Sequence, residues 1–318
     1  MRLFSVFAVL GFFAVSCAKD PVFDPGAGGA TGSGGKTASG GASGSGGKSG
    51  SGGVKGTGGR TGSGGSSQPV TGECTDVSSY ASLVTGQYGA DTIDLDGNSG
   101  KNYWMIANWW GKYDGQTENI NGVGFTLSNP KNVSSTSNNP IGFPTIYIGN
   151  YQGKGTKGSN LPKQLSSLTS VPTILSTNAD SKGTSNYNVA YDVWLSASSG
   201  GVSGTNPGAG GAYVMVWLFM PSDRQPRGRA LANGRVIQGV SGGWSVWVDT
   251  TDPSCVSYVA DDNLASLEFD LNAFLKDAVA NKYGNVTANQ YLSIIFAGFE
   301  VWGGGDGLQI KRFCANVK

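Results

Sequence analysis

Short apolar runs alternate with polar clusters along the last two thirds of this 318-residue chain. Eight runs rich in Val, Ile, Tyr, Trp and Thr are bounded by Gly, Asn, Ser and Pro, a pattern typical of β-strands. The predicted strands are Tyr103–Trp109, Thr145–Gly149, Asn188–Leu195, Ala212–Phe219, Trp244–Val248, Val256–Val259, Tyr291–Phe299 and Leu308–Phe313. Several alternate polar with apolar residues, so we expect each strand to have one face in a core and one wetter face.

One late segment has the period of an α-helix instead. Its apolar side chains fall on one stripe, and Asp270 is available near its start. The stripe consists of Leu267, Leu271, Phe274, Leu275, Ala278 and Val279. Many strands and a single helix predict an all-β fold, a β-sandwich or jelly roll with the helix packed on its back.

Residues 1–17 predict an export signal. Arg2 is followed by an apolar run, Leu3–Val15, which is too short to span a bilayer and suits the hydrophobic part of a signal peptide. Small residues directly precede Cys17, as in a bacterial lipobox, so we expect Cys17 to be lipidated and to become the mature N-terminus. The alternative is ordinary cleavage near the same place. Either route takes the chain out of the cytoplasm, to the outer membrane or cell surface, or into the medium.

Residues 18–68 predict a flexible linker. Within it, 20 of the 42 residues from 26 to 67 are Gly, and most others are Ser, Thr, Ala and Lys. Such a stretch has almost no apolar surface to offset its ordering entropy. A coil of this length has a root-mean-square span of roughly 35 Å. The remaining residues, 69–318, suit one sizeable domain held on a tether.

Composition excludes several kinds of chemistry. The chain contains no His, which rules out Ser-His-Asp and Cys-His catalytic units and zinc sites with imidazole ligands. A formal net charge of +1 argues against nucleic acid as the main partner. Base-catalysed chemistry must therefore come from carboxylates, Tyr, Lys or Cys. The chain has only four Glu residues, at Glu73, Glu118, Glu268 and Glu300.

Three cysteines follow Cys17. Cys74 and Cys314 lie near the two ends of the domain, so a disulfide between them would close its termini. Cys255 is then left over, and the sequence leaves the pairing open.

Eight Trp residues are many for so polar a chain. Sugar rings stack on aromatic planes, and their hydroxyl groups pair with Asn, Asp and Glu, so aromatic and carboxylate side chains on one sheet face would form a carbohydrate-binding groove. The competing interpretation is that these Trp residues are core, which we expect for about half of them.

The stretch Ala297–Gly304, with the sequence AGFEVWGG, resembles the closing strand of glycoside hydrolase family 12. In that family this strand presents the general acid/base Glu. Further stretches are similar to family segments in the same order, from about Tyr103 to Lys318. They are Asn108–Gly111, Ile146–Gly149 with Gly158–Pro162, Asn188–Asp192, Met215–Leu218, Ser257–Ala260 and Asp270–Phe274.

The resemblance implies a fold, a substrate and a reaction. The fold is a two-sheet, concanavalin-like β jelly roll whose concave sheet lines an open cleft. The substrates are β-1,4-glucans, namely cellulose, mixed-linkage glucan or xyloglucan, cut internally with retention of anomeric configuration. Retention requires two carboxyl groups roughly 5–5.5 Å apart. No metal or organic cofactor is implied, and we expect a monomer whose contact with a membrane is limited to the lipid on Cys17.

One functional residue of the family has no counterpart in this sequence. Glu300 matches the acid/base, with Trp302 on the same strand face to shield it, and Asp192 matches the accessory carboxylate beside the nucleophile. The nucleophile's own position holds Tyr213 instead of Glu. The same comparison implies sugar contacts. Those residues are Asn108, Trp110, Tyr151, Met215, Trp217 and Trp302.

No other Glu replaces the missing nucleophile. We expect Glu118 in a polar loop, Glu268 at the helix start and Glu73 at the domain edge. A loop cluster formed by Arg224, Arg227 and Arg229 predicts a solvated surface, or else a cationic rim to the cleft.

Three hypotheses follow. The first is a family-12-like hydrolase with altered chemistry, in which Asp192 activates the Tyr213 phenol as a nucleophile, or itself stabilises the transition state or activates water. The second is a β-glucan-binding protein that has lost catalysis. The third is a structural jelly roll that binds something else.

Overall fold

The structure is a computed structural model that describes residues 18–19, 73–129, 131, 133–136, 139–179, 186–202 and 204–318. The predicted signal, Cys17 and nearly all of the predicted linker lie outside the described residues. Among the described residues, no helix has the length and hydropathy needed to cross a membrane.

The described part of the chain is mostly β-structure, as predicted. Its strands are β1 (Ala18–Lys19), β2 (Ala81–Thr85), β3 (Ala90–Asp94), β4 (Asn102–Ile106), β5 (Thr117–Asn121), β6 (Phe125–Ser128), β7 (Thr145–Tyr151), β8 (Lys154–Gly155), β9 (Lys163–Gln164), β10 (Pro172–Thr177), β11 (Asn186–Tyr187), β12 (Val189–Ser196), β13 (Ala212–Phe219), β14 (Gln225–Pro226), β15 (Arg229–Arg235), β16 (Trp244–Asp249), β17 (Ser254–Ala260), β18 (Ser266–Asp270), β19 (Tyr291–Gly298), β20 (Val301–Gly303) and β21 (Gln309–Ala315). One helix, α1 (Asn272–Asn281), and a 3₁₀ turn at Leu165–Ser167 complete the elements.

Two large sheets form the body of the domain. The smaller has the strand order β18-β10-β21-β6-β5-β2, and the larger has the order β15-β16-β17-β13-β12-β19-β7-β4-β3, with β8 on β7 and β9 on β19. The ladder between β13 and β17 is parallel, and its neighbours in the larger sheet are antiparallel. Short pairs join β1 to β14 and β11 to β20. This is the predicted two-sheet jelly roll.

Strand alternation divides the larger sheet into two apolar faces. On β12, Tyr191 and Val193 enter the core between the sheets, whereas Ala190 and Trp194 belong to a second cluster on the opposite side. β13 repeats the pattern. We call this second side the outer face, meaning the face of the larger sheet that points away from the smaller sheet. Continuous burial of β12 and β13 explains why their sequences read as nearly unbroken apolar runs.

The helix is shorter than predicted. Leu267, predicted to be on the helical stripe, lies instead in β18, where it points inward and pairs with β10. The helix begins at Asn272, whose backbone N–H donates to Asp270 Oδ1 at 3.0 Å. Phe274 then packs edge-on against Trp244 of β16, with ring centroids 4.8 Å apart. The helix therefore covers the core side of the larger sheet, which is the back of the outer face.

The disulfide Cys74–Cys314 closes the domain, with the two Cα atoms 5.8 Å apart and 240 residues between them in sequence. This confirms the pairing suggested by the positions of these cysteines at the domain ends. No cysteine that the structure describes is free.

Candidate active site

The outer face carries a dense aromatic cluster. It is formed by side chains from β7, β12, β13, β17, β19 and β20. Its largest members are Tyr147, Tyr151, Trp194, Tyr213, Trp217, Phe296 and Trp302, with Trp104, Trp110 and Trp247 half-buried at its border. Of the eight Trp residues, only Trp109 and Trp244 belong to the core between the sheets. Trp194, Trp217 and Trp302 are buried in the outer-face cluster, so five of the eight Trp side chains are core and the expectation of about half is confirmed.

Glu300 lies in the turn that joins β19 to β20, and its side chain is only 1% exposed. Asn188, just before β12, bonds to both the carboxyl group and the backbone of Glu300. The Asn188 side-chain amide donates to Glu300 Oε2, and the Glu300 backbone N–H donates to Asn188 Oδ1 at 2.9 Å. Burial, and then the charge of Asp192, raises the pKa of Glu300 well above its usual range, against the opposing effect of the Asn188 bond. The raised pKa favours the protonated form of Glu300, which is the form that a proton donor needs.

Asp192 lies on β12, and its side chain faces the same side of the sheet as Trp194. Trp194 Nε1 donates to Asp192 Oδ2 at 2.9 Å, which fixes the orientation of the carboxyl group. Burial raises the pKa of Asp192 to about 7, although the Trp194 bond lowers it. Within the part of the chain that the structure describes, Asp192 Oδ1 has no hydrogen-bond partner. One oxygen of this buried carboxyl group is thus held and the other is available.

Tyr213 lies on β13, across the strand pair from Trp194, and it packs edge-on against that ring at 5.6 Å between centroids. Its hydroxyl group is buried and has no hydrogen-bond partner among the described residues. Burial and the charge of Asp192 raise the pKa of Tyr213, while Arg227 opposes the shift. The phenol therefore stays protonated and is a weak nucleophile.

The predicted sugar-contact residues also gather on or beside the outer face. Tyr151, at the end of β7, packs edge-on against Trp194 at 5.6 Å between ring centroids. Met215 and Trp217 are adjacent on β13, where Trp217 Nε1 lies 3.5 Å from Met215 Sδ. Both are almost fully buried, so they form the base of the cluster.

Asn108 and Trp110 follow β4 and form a unit at the border of the cluster. Trp110 Nε1 donates to Asn108 Oδ1 at 2.9 Å, and Asn108 adopts a left-handed backbone conformation with φ of 50°. The indole of Trp110 is half-buried, so part of its ring is available to a ligand.

Trp302 packs in the outer-face cluster, and the Arg224 guanidinium lies 5.4 Å from its ring centroid. Arg227 is buried, with Nε 2.7 Å from Asp249 Oδ2, and it donates to the backbone oxygen of Pro253 at 3.0 Å. The prediction that these arginines line a solvated loop or a rim is therefore wrong for Arg227, which ties β14 to the turn between β16 and β17. An ion pair formed across strands leaves no local pattern in the sequence.

Two glutamates are placed differently from their predictions. Glu118 lies on β5, not in a polar loop, and points into the core, where Trp109 Nε1 donates to its Oε1 at 2.8 Å. Glu268 lies on β18 and not at the helix start. The roles of Asn188 and Trp194 as partners of the two carboxyl groups were not predicted. Asn188 opens the NVAYD stretch, which is the signal that would have found it, and Trp194 follows Asp192 by two residues, which places the two on one strand face.

No three His, Cys, Asp or Glu side chains in the described residues come together in a way that would hold a metal ion. The site contains two buried carboxyl groups, Glu300 and Asp192, close enough for the charge of Asp192 to raise the pKa of Glu300.

Comparisons with known proteins identify the family of this chain. Residues 101–318 match the model of glycosyl hydrolase family 12. This chain belongs to glycosyl hydrolase family 12. A probable cellulase, Cel12b, of Mycobacterium tuberculosis is 27% identical over 161 residues, which cover 50% of this chain and 99% of that protein.

Solved structures of the family share the fold. Endoglucanase Cel12A from Rhodothermus marinus is 30% identical, with a TM-score of 0.62, and the match covers 74% of this chain and 99% of that one. A metagenome-derived family 12 endoglucanase is 29% identical, with a TM-score of 0.64, over 75% of this chain and 98% of that one.

Proposed function

We propose that this protein hydrolyses β-1,4-glucans at internal linkages, with cellulose, mixed-linkage glucan and xyloglucan as the candidate substrates. The observation that carries the proposal is the placement of Glu300, a buried carboxyl group held by Asn188 beside a face rich in aromatic side chains. Membership of family 12 supports it, as do relatives whose names are cellulase and endoglucanase.

Glu300 serves as the proton donor. Cleavage of a glycosidic bond leaves a sugar alkoxide unless an acid protonates the departing oxygen. A carboxyl group does this at neutral pH only when its surroundings raise its pKa, and burial together with the charge of Asp192 raises that of Glu300.

The border of the outer face serves to bind the glucan chain. Trp104, Trp110 and Trp247 are half-buried, so each offers part of an indole plane on which a glucose ring can stack. The buried Met215 and Trp217 support this surface from beneath. Asn108 fixes the orientation of the Trp110 indole through its hydrogen bond.

Retention of configuration, which the family resemblance implies, is the part of the reaction with the least support from the site. A retaining glycosidase needs a nucleophile that attacks the anomeric carbon. The residue in that position is Tyr213, whose raised pKa keeps the phenol protonated.

A second candidate function is binding of β-glucan without hydrolysis. The observation that favours it is the same Tyr213, because a neutral aromatic ring where a carboxylate is expected contributes stacking surface but no charge. The aromatic cluster would then remain useful although turnover is lost.

We also infer that the protein is exported and anchored by lipid at Cys17, with residues 18–68 as the tether. The apolar run Leu3–Val15 and the small residues before Cys17 support this proposal. The disulfide Cys74–Cys314 supports an oxidising compartment. Radiolabelled fatty acid should enter the wild-type protein in cells and not the Cys17→Ser variant. Equal labelling of both, or of neither, would refute the anchor.

Hydrolysis and binding should be measured separately on the protein produced from the full chain. A panel of soluble β-1,4-glucan, mixed-linkage glucan and xyloglucan is suitable. We expect new reducing ends and a rapid fall in viscosity, the sign of internal cleavage. Glu300→Gln should abolish the release while retaining binding, whereas Glu73→Gln, at the exposed pair with Lys318, should match the wild type. Binding without release by the wild type would establish the second candidate, and neither binding nor release would refute both.

A further inference from the structure

A lysine, an aspartate and an asparagine meet beside the disulfide that closes the domain. Lys101, just before β4, is only 8% exposed, and Lys side chains are almost never buried so deeply unless they are paired. Its Nζ atom lies 2.5 Å from Asp76 Oδ2. The same Nζ atom donates to Oδ1 of Asn316, the residue that follows β21. A buried amine is therefore in contact with a carboxylate and with an amide.

Buried groups surround the three side chains on their inner side. Tyr103, Cys74 and Cys314 are all buried there, and the Tyr103 hydroxyl group donates to Asp76 Oδ2. Burial, and then the charge of Asp76, raises the pKa of Tyr103 well above its usual range, so the phenol stays protonated and keeps donating. The Asn316 amide nitrogen lies 3.8 and 3.9 Å from the two disulfide sulfur atoms. The carboxylate and the amide are thus both held in place by their surroundings.

The Asn316 amide has its oxygen towards the amine and its nitrogen towards the surface. Oδ1 accepts from Lys101 Nζ, whereas Nδ2 donates to the backbone oxygen of Glu73 at 3.0 Å, at an exposed position. An amine in contact with an amide oxygen lies next to the amide carbon, which is the atom that a nucleophile attacks. The nitrogen that would leave after such an attack is the one directed to solvent.

We propose that Lys101 and Asn316 join through an isopeptide bond between Lys101 Nζ and Asn316 Cγ, formed by the folded protein itself with loss of ammonia and with Asp76 as the group that moves the protons. The bond is a covalent modification of the domain, and it does not depend on the hydrolytic function proposed above.

The fold supplies the proximity that the reaction needs. An amide resists attack by amines in water, but groups held in contact react as if at effective concentrations of up to ~10⁵–10⁸ M. Contacts between β4 and β21 hold the two reacting residues in register. The Tyr103 and Phe313 rings pack edge-on with centroids 5.2 Å apart, and the Ala315 backbone N–H donates to the Tyr103 hydroxyl group at 3.4 Å. Lys101 and Asn316 directly adjoin these packed positions.

The step balances without any further reagent. Asp76 takes one proton from the Lys101 ammonium, because the neutral amine is the nucleophilic form of lysine. The electron pair of Nζ forms a bond to Asn316 Cγ, the bond from Cγ to Nδ2 breaks, and its electron pair leaves with Nδ2. Of the three ammonium protons, one stays on the new amide and one leaves with Nδ2, so that ammonia is released. The third passes to solvent through Asp76.

The bond would tie the two large sheets together. Lys101 adjoins β4 of the larger sheet, and Asn316 adjoins β21 of the smaller sheet. The disulfide Cys74–Cys314 would still restrain the chain that leads from Cys74 to Lys101. The domain would thus be closed by two covalent bonds, of which only the disulfide is sensitive to reduction.

Intact mass spectrometry of reduced, denatured protein produced from the full chain tests this assignment. Lys101→Arg keeps the positive charge but cannot form the bond, and Lys276→Arg, on the exposed side of α1, has the same composition. The two variants therefore have equal masses unless the bond forms. We expect Lys276→Arg to be lighter than Lys101→Arg by one ammonia, about 17 Da. Tryptic digestion of the wild type should also yield a branched peptide that joins Lys101 to Asn316.

A second pair of equal composition tests the role of Asp76. Asp76→Asn should remain heavier than Asp262→Asn, an exposed control, by the same mass of one ammonia. Equal masses of the two lysine variants, with only linear peptides from the wild type, would overturn the bond. Formation of the bond in Asp76→Asn as completely as in Asp262→Asn would overturn the role of Asp76. If Lys101→Arg or Asp76→Asn fails to fold, the presence or absence of the branched peptide in the wild type decides whether the bond forms.

Discussion

Asn188 and Glu300 hold each other through three hydrogen bonds. The Asn188 backbone N–H donates to the Glu300 carbonyl oxygen at 3.0 Å, the Glu300 N–H donates to Asn188 Oδ1 at 2.9 Å, and the Asn188 amide donates to the Glu300 carboxyl group. A turn outside regular strand structure is thereby fixed by one side chain. The predicted proton donor owes its position to a residue 112 places earlier in the chain.

Asn188→Ala should therefore change both stability and pH dependence. The buried Glu300 N–H loses its acceptor, which costs roughly 1–3 kcal/mol. The Asn188 bond to the carboxyl group lowers the pKa of Glu300, so its removal should raise that pKa and move the alkaline limb of the pH–activity profile upward. Urea unfolding and a pH profile of kcat/KM measure the two effects. An unchanged alkaline limb would contradict the role given to this bond.

The acid limb of the same profile should report Asp192. Each form of the hydrolase hypothesis uses Asp192 as a carboxylate, and burial raises its pKa to about 7. Activity should accordingly fall as the pH drops through about 7, with an apparent value that belongs to the coupled pair of Asp192 and Glu300. Trp194→Phe keeps an aromatic ring but removes the bond that lowers the pKa of Asp192, so the limb should move to higher pH. A limb near pH 4 in the wild type would be inconsistent with this assignment.

Glu118 should make the fold less stable as the pH rises. Burial raises its pKa from 4.5 to about 7, so below about pH 4.5 the group is neutral in both states and costs nothing. Between about pH 4.5 and 7 the unfolded chain ionises first, and the folded protein loses up to about 3 kcal/mol of stability. Glu118→Gln keeps the acceptor for Trp109 Nε1 and removes this cost.

The free energy of unfolding of wild type and Glu118→Gln should thus agree at pH 4 and diverge by pH 8, with the variant more stable. Glu73→Gln, at an exposed ion pair, serves as the control and should show no comparable divergence. Equal curves for wild type and Glu118→Gln across this range would show that the carboxyl group ionises in the folded state without cost.

The disulfide Cys74–Cys314 should contribute about 2–5 kcal/mol, since it restricts nearly the whole length of the domain in the unfolded state. Cys74→Ser, Cys314→Ser and the double variant should all lose the same amount in urea unfolding, because each removes the same bond. A double variant that loses clearly more than either single variant would mean that the cysteines contribute through packing as well.

Local pattern predicted the strands that build the outer face. The predicted Ala212–Phe219 coincides with β13, because a strand buried on both faces is a continuous apolar run ended by polar residues. The pattern of apolar residues gave a wrong prediction where the same spacing is compatible with a helix and with a strand. Leu267, Leu271 and Phe274 have helical spacing, yet pairing with β10 draws the first of them into β18.

The parts of the site that lie in short sequence motifs could be predicted. Contacts between residues on strands that are far apart in the sequence could not. Glu300 and Asp192 were proposed as site residues from short stretches of sequence, and both are buried carboxyl groups in the structure. The ion pair of Arg227 with Asp249 and the burial of Glu118 beside Trp109 depend on strand pairing across the fold. The two unpartnered atoms of Asp192 and Tyr213 likewise appear only in three dimensions.

The most direct test of the central claim compares Glu300→Gln on two aryl β-cellobiosides that differ in their leaving groups. A leaving group as acidic as 2,4-dinitrophenol departs without a proton, whereas a phenol of high pKa needs the general acid. If Glu300 is the proton donor, kcat/KM should fall by about 100-fold or more for the second substrate and by far less for the first. Equal losses on both substrates, or no loss on either, would contradict the assignment of Glu300 as the catalytic acid.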